Sequence, residues 1–389
     1  MITDSDVTMN VRRGRGTIAR RQTSWSRNLP GYDPSQQNVE GQNRLVQNLL
    51  GMTRSELEHF ALKFDQPRYR GAQLYRAIYN RRARRFPELT DLNRGFRQFL
   101  AANYDVRYPT VEREFASRDG SVRYLLGLGD GEAVEAVYIP EEHRVTLCIS
   151  SQVGCAVDCR FCFTALVGMK RNLTAGEIVG QVLTIMSKRG IPRHARLNVV
   201  FMGQGEPLLN LPEVIKSVNI LVDPEGMGIV LKRITISTSG IVPRIMDLAC
   251  EPVRPKLAVS LNASTDEQRT AIMPINRKYP LHQLIDACRA YPFRPREYLT
   301  FEYVMLDGLN DSDDDAVRVT KLLHGLSAKV NLIPYNCGPD LPYRASPMKR
   351  VLDFQKILVD RRVPAYIRIS RGQDVMGACG QLSLAEVNA

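Results

Sequence analysis

From residue 144 onward the chain alternates short runs rich in valine, isoleucine and phenylalanine with helical segments, and this alternation restricts the fold more than anything else in it. The runs HRVTLCISS, LNVVFMG, RITISTSG, KLAVSLNA, YLTFEYVML and KVNLIPYN read as six strands. Between them, LPEVIKSVNILV, VPRIMDLAC and DSDDDAVRVTKLLHGL have helical spacing. Another helix opens at Thr174, with Glu177 at capping-box distance, and runs through Ile178, Val182 and Met186 to Gly190. Strands that recur with helices between them pair in parallel, so an α/β fold is expected: a parallel sheet of six strands curled into a partial barrel.

The flanking sequence divides by composition. Residues 1–44 carry Arg12, Arg13, Arg15, Arg20, Arg21 and Arg27 among small polar residues, a basic arm that cannot bury enough apolar surface to order itself. Residues 45–104 read as a helical accessory domain in which Thr53 and Glu56 form a capping box and Leu57, Phe60, Ala61 and Phe64 one apolar stripe. Its second helix sets Leu74, Ile78 and Tyr79 among Arg76, Arg81, Arg82, Arg84 and Arg85, which is either a solvated face or a surface that tracks phosphates. Residues 105–143 shift to a period of two and form a β-hairpin connector turning at Gly129-Asp130-Gly131. The barrel is assigned to 144–382 and a short tail to 383–389.

A chain of 389 residues can bury a large core, and no apolar run of about 18 residues could span a membrane. Eight cysteines in a chain of this size are not a disulfide scaffold; a reducing, cytoplasmic setting is expected. A net charge of +12 favours a polyanionic partner, for which nucleic acid is the usual candidate.

Three of the cysteines, Cys155, Cys159 and Cys162 in GCAVDCRFCFT, follow the first barrel strand. Their C-x3-C-x2-C spacing can ligate three irons of a cubane and leave the fourth without a protein ligand. Zinc is the alternative, with Cys148 as a fourth thiolate, although no second C-x2-C knuckle exists to complete the usual structural site. Cys288 shares helical spacing with Leu281, Leu284 and Ile285 and reads as core, as do Cys250 and Cys337. Cys148 alternates with Val145, Leu147 and Ile149, on the more polar face of its strand. At the carboxyl ends of the later strands stand Gly205-Glu206-Pro207, Ser237 and Thr238, Ser260 and Asn262, and Asn336, where a barrel gathers its ligands.

These features together resemble the radical S-adenosylmethionine (SAM) superfamily, in which the open iron of a [4Fe-4S] cluster chelates SAM and a GEP segment holds its amino group. More narrowly, VEAVYIP, TLCISSQVGC, MGQGEPLLN, TISTSGIVP, MPINRKYP, FEYVMLDGLND, LIPYN and GACGQL are similar to RlmN-type adenine-C2 methyltransferases over about residues 45 to 382. The resemblance implies adenosine 2503 of 23S rRNA and adenosine 37 of tRNA as substrates, gripped by the helical domain. A relative class that methylates C8 of the same rRNA adenine shares the cysteine set, so C8 stays open as an alternative. It further implies one cluster, two SAM per turnover, a flavodoxin-type reductase system as electron donor, a monomer and no membrane association.

The resemblance also assigns roles to single residues. Cys379 matches the cysteine methylated first; the radical from a second SAM then takes hydrogen from that methyl group, and the carbon adds to adenine. Cys148 matches the thiol that releases the product by forming a disulfide with Cys379. Glu135 matches the proton acceptor, and in its apolar strand it is expected to be desolvated, as suits a base. Gly205, Glu206, Ser237, Ser260, Leu261, Asn262 and Asn336 match SAM-contacting positions, and Cys155, Cys159 and Cys162 the cluster ligands. Phe163, Gln204 and Asn262 depart from residues common in the family, from which altered packing around SAM is expected rather than different chemistry.

Overall fold

The computed structural model of the chain describes residues 47–338 and 341–383. The arm assigned to 1–44 and residues 384–389 of the tail lie outside them. Among the described residues no helix is long and apolar enough to cross a membrane.

The helical unit comes first. Its ends pair as β1 (Gln47–Asn48) and β2 (Tyr104–Asp105), and between these lie α1 (Arg54–Lys63), α2 (Arg68–Tyr79) and α3 (Arg94–Asn103). The capping box is present: Thr53 Oγ1 accepts from Glu56 N, and Glu56 Oε2 accepts from Thr53 N at 2.7 Å. Phe60, Phe64, Phe99 and Tyr104 pack as one aromatic cluster inside the unit. The arginine run expected on the second helix lies mostly beyond it: α2 ends at Tyr79, only Arg76 of the run is helical, and Arg81, Arg82, Arg84 and Arg85 follow in the loop, where the run is largely engaged within the protein. Arg76 faces Glu225, Arg81 pairs with Asp91 and Arg85 with Glu88; Arg82 donates to Ile191 O, and Arg84 lies over the Tyr108 ring. Exposed pairs of this kind are weak, but they leave residues 76–85 less free charge than their composition suggests.

The connector does not stand apart from the barrel. β3 (Thr110–Ala116), β4 (Val122–Gly127) and β5 (Ala133–Glu141) run antiparallel and continue through β6 (Arg144–Cys148) into one ten-stranded sheet. After β6 come β7 (Gln152–Val153), α4 (Thr164–Val167) and β8 (Arg171–Asn172), then α5 (Ala175–Lys188) and β9 (Leu197–Phe201). The alternation proceeds with α6 (Leu211–Val222), β10 (Ile234–Thr238), α7 (Val242–Ala249), β11 (Lys256–Ser260), α8 (Asp266–Ile272) and α9 (Leu281–Ala290). It closes with β12 (Leu299–Met305), α10 (Asp313–Leu322), β13 (Ala328–Pro334), α11 (Met348–Asp360) and β14 (Ala365–Ile367).

The strand order β14-β13-β12-β11-β10-β9-β6-β5-β4-β3 is open, with β14 and β3 at its edges, so the barrel is partial as expected. It has one more parallel strand than expected. β14 adds to β13 over Val330↔Ala365 to Leu332↔Ile367, and three residues are too few to reveal a period. Parallel strands are usually apolar on both faces because both are covered. Here they alternate. Val199, Ile236, Leu257, Phe301 and Val330 are buried beneath the helices, while Val200, Ser237, Ala258, Glu302 and Asn331 line a concave inner surface.

Cys288 is fully buried on α9, as expected. Cys250 and Cys337 are not core residues: both are exposed, the first capping α7 and the second in the loop after β13.

Candidate active site

Two cavities divide the concave face. The first, of about 180 Å³, opens at the carboxyl ends of the strands and is lined by Cys155, Cys159 and Cys162 together with Gly205, Glu206, Ser237, Ser260, Asn262 and Asn336. The second, of about 450 Å³, occupies the amino-terminal half and holds Cys148. Cys379, Met202, Glu302 and Ile333 line both, so they mark the passage between them.

The cysteine loop is held at its base by the β7–β8 ribbon, in register Gln152↔Asn172 and Val153↔Arg171. Gly154 has φ +76°, and a β-carbon there would lie 1.5 Å from Gly168 O, so only glycine lets the loop close. Burial among neighbours such as Val157, Phe161 and Met273 pushes the Cys155 thiol up to about 12 and Cys159 and Cys162 above their usual range. The neighbouring cysteines add to the effect on Cys155 and Cys159. Three thiolates can share such a place only around a positive centre, which is the donor set an iron–sulfur cluster requires. Among the described residues no three His, Cys, Asp or Glu side chains converge where one metal ion could sit. Zinc needs its ligands around a single point, whereas a cubane gives each cysteine its own iron.

Glu206 is buried, and its carboxylate accepts from Leu208 N at 3.0 Å and Ser239 N at 2.6 Å, which ties the end of β9 to the end of β10. Burial raises its pKa even so. Asn262 has φ +56°, a conformation asparagine tolerates better than most residues; its Oδ1 accepts from Val304 N, and its Nδ2 donates to Met273 Sδ. Leu261 is the exception among the expected SAM contacts. Its side chain is fully buried in the core and lines neither cavity, so only its backbone is near the site.

Arg269 carries no motif, and sequence reasoning misses it. Fully buried on α8, it donates to Leu261 O, Ser239 O, Ser260 O and Asn276 Oδ1, collecting the carbonyls that end β10 and β11 behind the first cavity. Burial lowers its pKa to about 10.

The Cys379 loop is fastened to the cysteine loop. Phe163 N donates to Gly380 O at 2.7 Å and Thr164 Oγ1 to Leu382 O at 2.7 Å, both immediately after Cys162. Asn336 Nδ2 donates to Cys379 O and to Ser370 Oγ. Cys379 itself stays accessible from the cleft although side chains surround it; burial, with Glu302 nearby, pushes its thiol up to about 11. Cys148, on the inner face of β6, is buried with Val137 and Leu382, and burial followed by the proximity of Cys379 pushes its thiol far up. Both are free thiols.

Glu135 shares the inner face with Cys148, since Val137 pairs with Cys148 and lies two residues along β5. Glu135 is buried in its strand as expected, and the structure adds a partner that sequence reasoning misses. Glu135 is fully buried in an ion pair with Arg123, whose guanidinium lies 4.0 Å over the Phe115 ring, and it lines neither cavity. Gln204 also faces Glu135, so this departure supplies a polar contact in place of an apolar one.

The Phe163 departure alters packing behind the cysteine loop. The ring is buried against Gly338, where a β-carbon would sit 2.1 Å from it. Gly338→Ala should cost about 1–3 kcal/mol by overpacking, and a smaller amount once Phe163 is also alanine. Denaturation of the single and double variants measures the coupling; equal costs in both backgrounds would refute the contact.

Comparison with known proteins follows the same division of the chain. The model of the Radical SAM superfamily matches residues 149–319. That of the ribosomal RNA large subunit methyltransferase N-terminal domain matches residues 47–106. The chain is 46% identical over 342 residues to a probable dual-specificity RNA methyltransferase RlmN of Koribacter versatilis (strain Ellin345), covering 84% of this chain and 98% of that protein. It is 46% identical over 352 residues to the dual-specificity RNA methyltransferase RlmN of Paracoccus denitrificans (strain Pd 1222), covering 87% and 90%. The crystal structure of a radical SAM methyltransferase from Sphaerobacter thermophilus superposes with a TM-score of 0.82 at 42% identity, covering 86% of this chain and 99% of that one.

Proposed function

The chain belongs to the RlmN family of radical SAM RNA methyltransferases, and from that premise we propose that it methylates C2 of an adenine through a carbon carried on Cys379. The observation that supports this most is the placement of Cys379 in both cavities and of Cys148 in the second. A [4Fe-4S] cluster and SAM belong to the family's chemistry, and when bound they supply methyl groups and a carbon-centred radical. Cys155, Cys159 and Cys162 would hold the cluster, and Glu206, Ser237, Ser260, Asn262 and Asn336 would surround SAM. Consumption of two SAM per turnover is part of the same proposal.

The protein's own part is a relay of sulfur. Cys379 receives a methyl group as a thioether, and loss of one hydrogen atom leaves a methylene radical on that carbon. An aromatic carbon is a poor nucleophile but an acceptable radical acceptor, so the methylene bonds to the ring. The adduct gives up its ring proton and one electron, for which the cluster, oxidised in making the radical, would be the acceptor, and RNA is left joined to Cys379. Cys148 then attacks the Cys379 sulfur as thiolate, the carbon–sulfur bond breaks, the carbon takes a proton, and a disulfide remains for reduction. Glu135 is the proposed proton acceptor, and to serve it must part from Arg123.

RNA as the polyanion is supported by the second cavity. Lys232, Arg233, Lys256, Lys329, Arg368 and Arg371 line it. Burial, then Arg368 and Lys256, pushes the Lys329 ammonium below its usual pKa, the mark of cations gathered without enough counter-charge. We place the phosphates of the substrates, which include 23S rRNA and tRNA, here in preference to the arginines of residues 76–85. Charge reversal at Lys256 and Lys329 should weaken RNA binding and flatten its salt dependence by about 0.7–0.9 for each phosphate no longer neutralised. Fluorescence anisotropy across a salt series reads this; an unchanged slope would move the RNA elsewhere. A flavodoxin-type reductase system as electron donor and a monomeric state complete the proposal.

Mass spectrometry of nucleosides from RNA treated with reconstituted protein, SAM and a reductant tests the central reading. 2-Methyladenosine is expected. 8-Methyladenosine would overturn the position of attack, and no methylated adenosine would overturn the activity.

A further inference from the structure

Glu302 and Asn331 face each other in register on β12 and β13, at the level where the two cavities meet. Glu302 is 9% exposed and lines both cavities, whereas Asn331 lines only the cationic one. Asn331 Nδ2 donates to Glu302 Oε1 at 2.9 Å, which fixes the amide and turns its Oδ1 into an acceptor. That oxygen is buried and has no hydrogen-bond partner. A carboxylate and a carbonyl oxygen therefore lie side by side in this wall, and the nearest cations, Arg368 and Lys329, bear on Glu302 by charge alone. Buried acceptors of this kind are costly unless something donates to them.

Glu302 and Cys379 both line the passage between the two cavities, so a base whose carbon meets Cys379 comes to rest beside this pair. Among the purines, adenine presents an amino group at position 6, where guanine and hypoxanthine present a carbonyl oxygen. We propose that Glu302 and Asn331 accept hydrogen bonds from the exocyclic 6-amino group of the target adenine and so set the base specificity of the reaction. This rests on the reading that adenine is the target. The position of Asn331, outside the cavity of the cluster cysteines, favours the RNA base over SAM as the donor. A site built to hydrogen-bond an amino group rejects an analogue that lacks it, and a carbonyl oxygen in its place would meet two acceptors.

The test uses short RNAs whose target base is adenine, unsubstituted purine or hypoxanthine, with methylated nucleosides read by mass spectrometry. The wild-type protein should prefer adenine over purine by about 10- to 100-fold and leave hypoxanthine unmodified. Glu302→Gln and Asn331→Ala should each lose most of the adenine reaction while the purine reaction stays level, bringing the preference to within about threefold. Methylation of Cys379, which needs no RNA, should proceed in Asn331→Ala, whose side chain lines only the second cavity, as a gain of one methyl in intact mass. Equal use of adenine and purine by the wild type would overturn the proposal, as would full selectivity in both variants. Loss of Cys379 methylation in Glu302→Gln would assign the carboxylate to SAM instead. A methyl group found at C8 would overturn the C2 reading but leave the selectivity comparison intact.

Discussion

Cys379→Ala should transfer no methyl group to RNA, a loss of at least about a thousandfold, because it removes the atom that carries the carbon. Cys148→Ala should behave differently. The carbon can still reach the base, but nothing attacks the Cys379 sulfur, so RNA should accumulate on the protein and turnover stop after one round. A denaturing gel distinguishes the two variants: the first gives no slow-moving RNA–protein species and the second gives it in abundance. Normal turnover by Cys148→Ala with no such species would remove the two-thiol scheme. Neither loss should be structural. Cys379 faces the cleft, and Cys148 gives up little packing when it becomes alanine.

Arg269→Met should have the largest effect on stability. The guanidinium is fully buried and supplies donors to three carbonyls and one amide oxygen. Removing it leaves those acceptors stranded, which costs about 3–5 kcal/mol for a buried hydrogen-bonded charge. Arg269→Lys should recover only part, since an ammonium cannot reproduce the planar fork. The urea midpoint measures both variants, and a loss below about 1 kcal/mol for Arg269→Met would show that the carbonyls find other donors. SAM affinity should fall in parallel, because Ser239 and Ser260 belong to the strand ends that line the first cavity.

The barrel and the thiols are legible in the sequence because each depends on local pattern. Strand ends follow from periodicity, and the proposed cluster ligands from spacing within eight residues. What escapes depends on segments far apart in the chain. Arg269, in DEQRTAI, reads as a charged helix face, and nothing local says that four acceptors from β10, β11 and the turn after α8 surround it. Glu135 reads as a residue of a buried strand, but its partner Arg123 stands on β4, twelve residues earlier. The arginines of residues 76–85 read as free charge on one helix face because the helix stops at Tyr79 and Glu225, Asp91 and the Ile191 carbonyl belong to other segments. β14 is shorter than any period, and Cys250 and Cys337 fall just past the elements whose burial their neighbours share.

The two hydrogen bonds that run from Phe163 and Thr164 to Gly380 and Leu382 make a clasp between the loop proposed to hold the cluster and the segment of the thiol proposed to carry the carbon. Such a clasp gives assembly an order. A protein that has not shaped its cysteine loop lacks two of the bonds that hold the Cys379 segment and keeps that from Asn336, so the proposed carbon carrier is best placed where the proposed radical source can also be built. Damage to that loop then disarms both parts together, and the chain fails as a silent protein rather than as one that fires without a target.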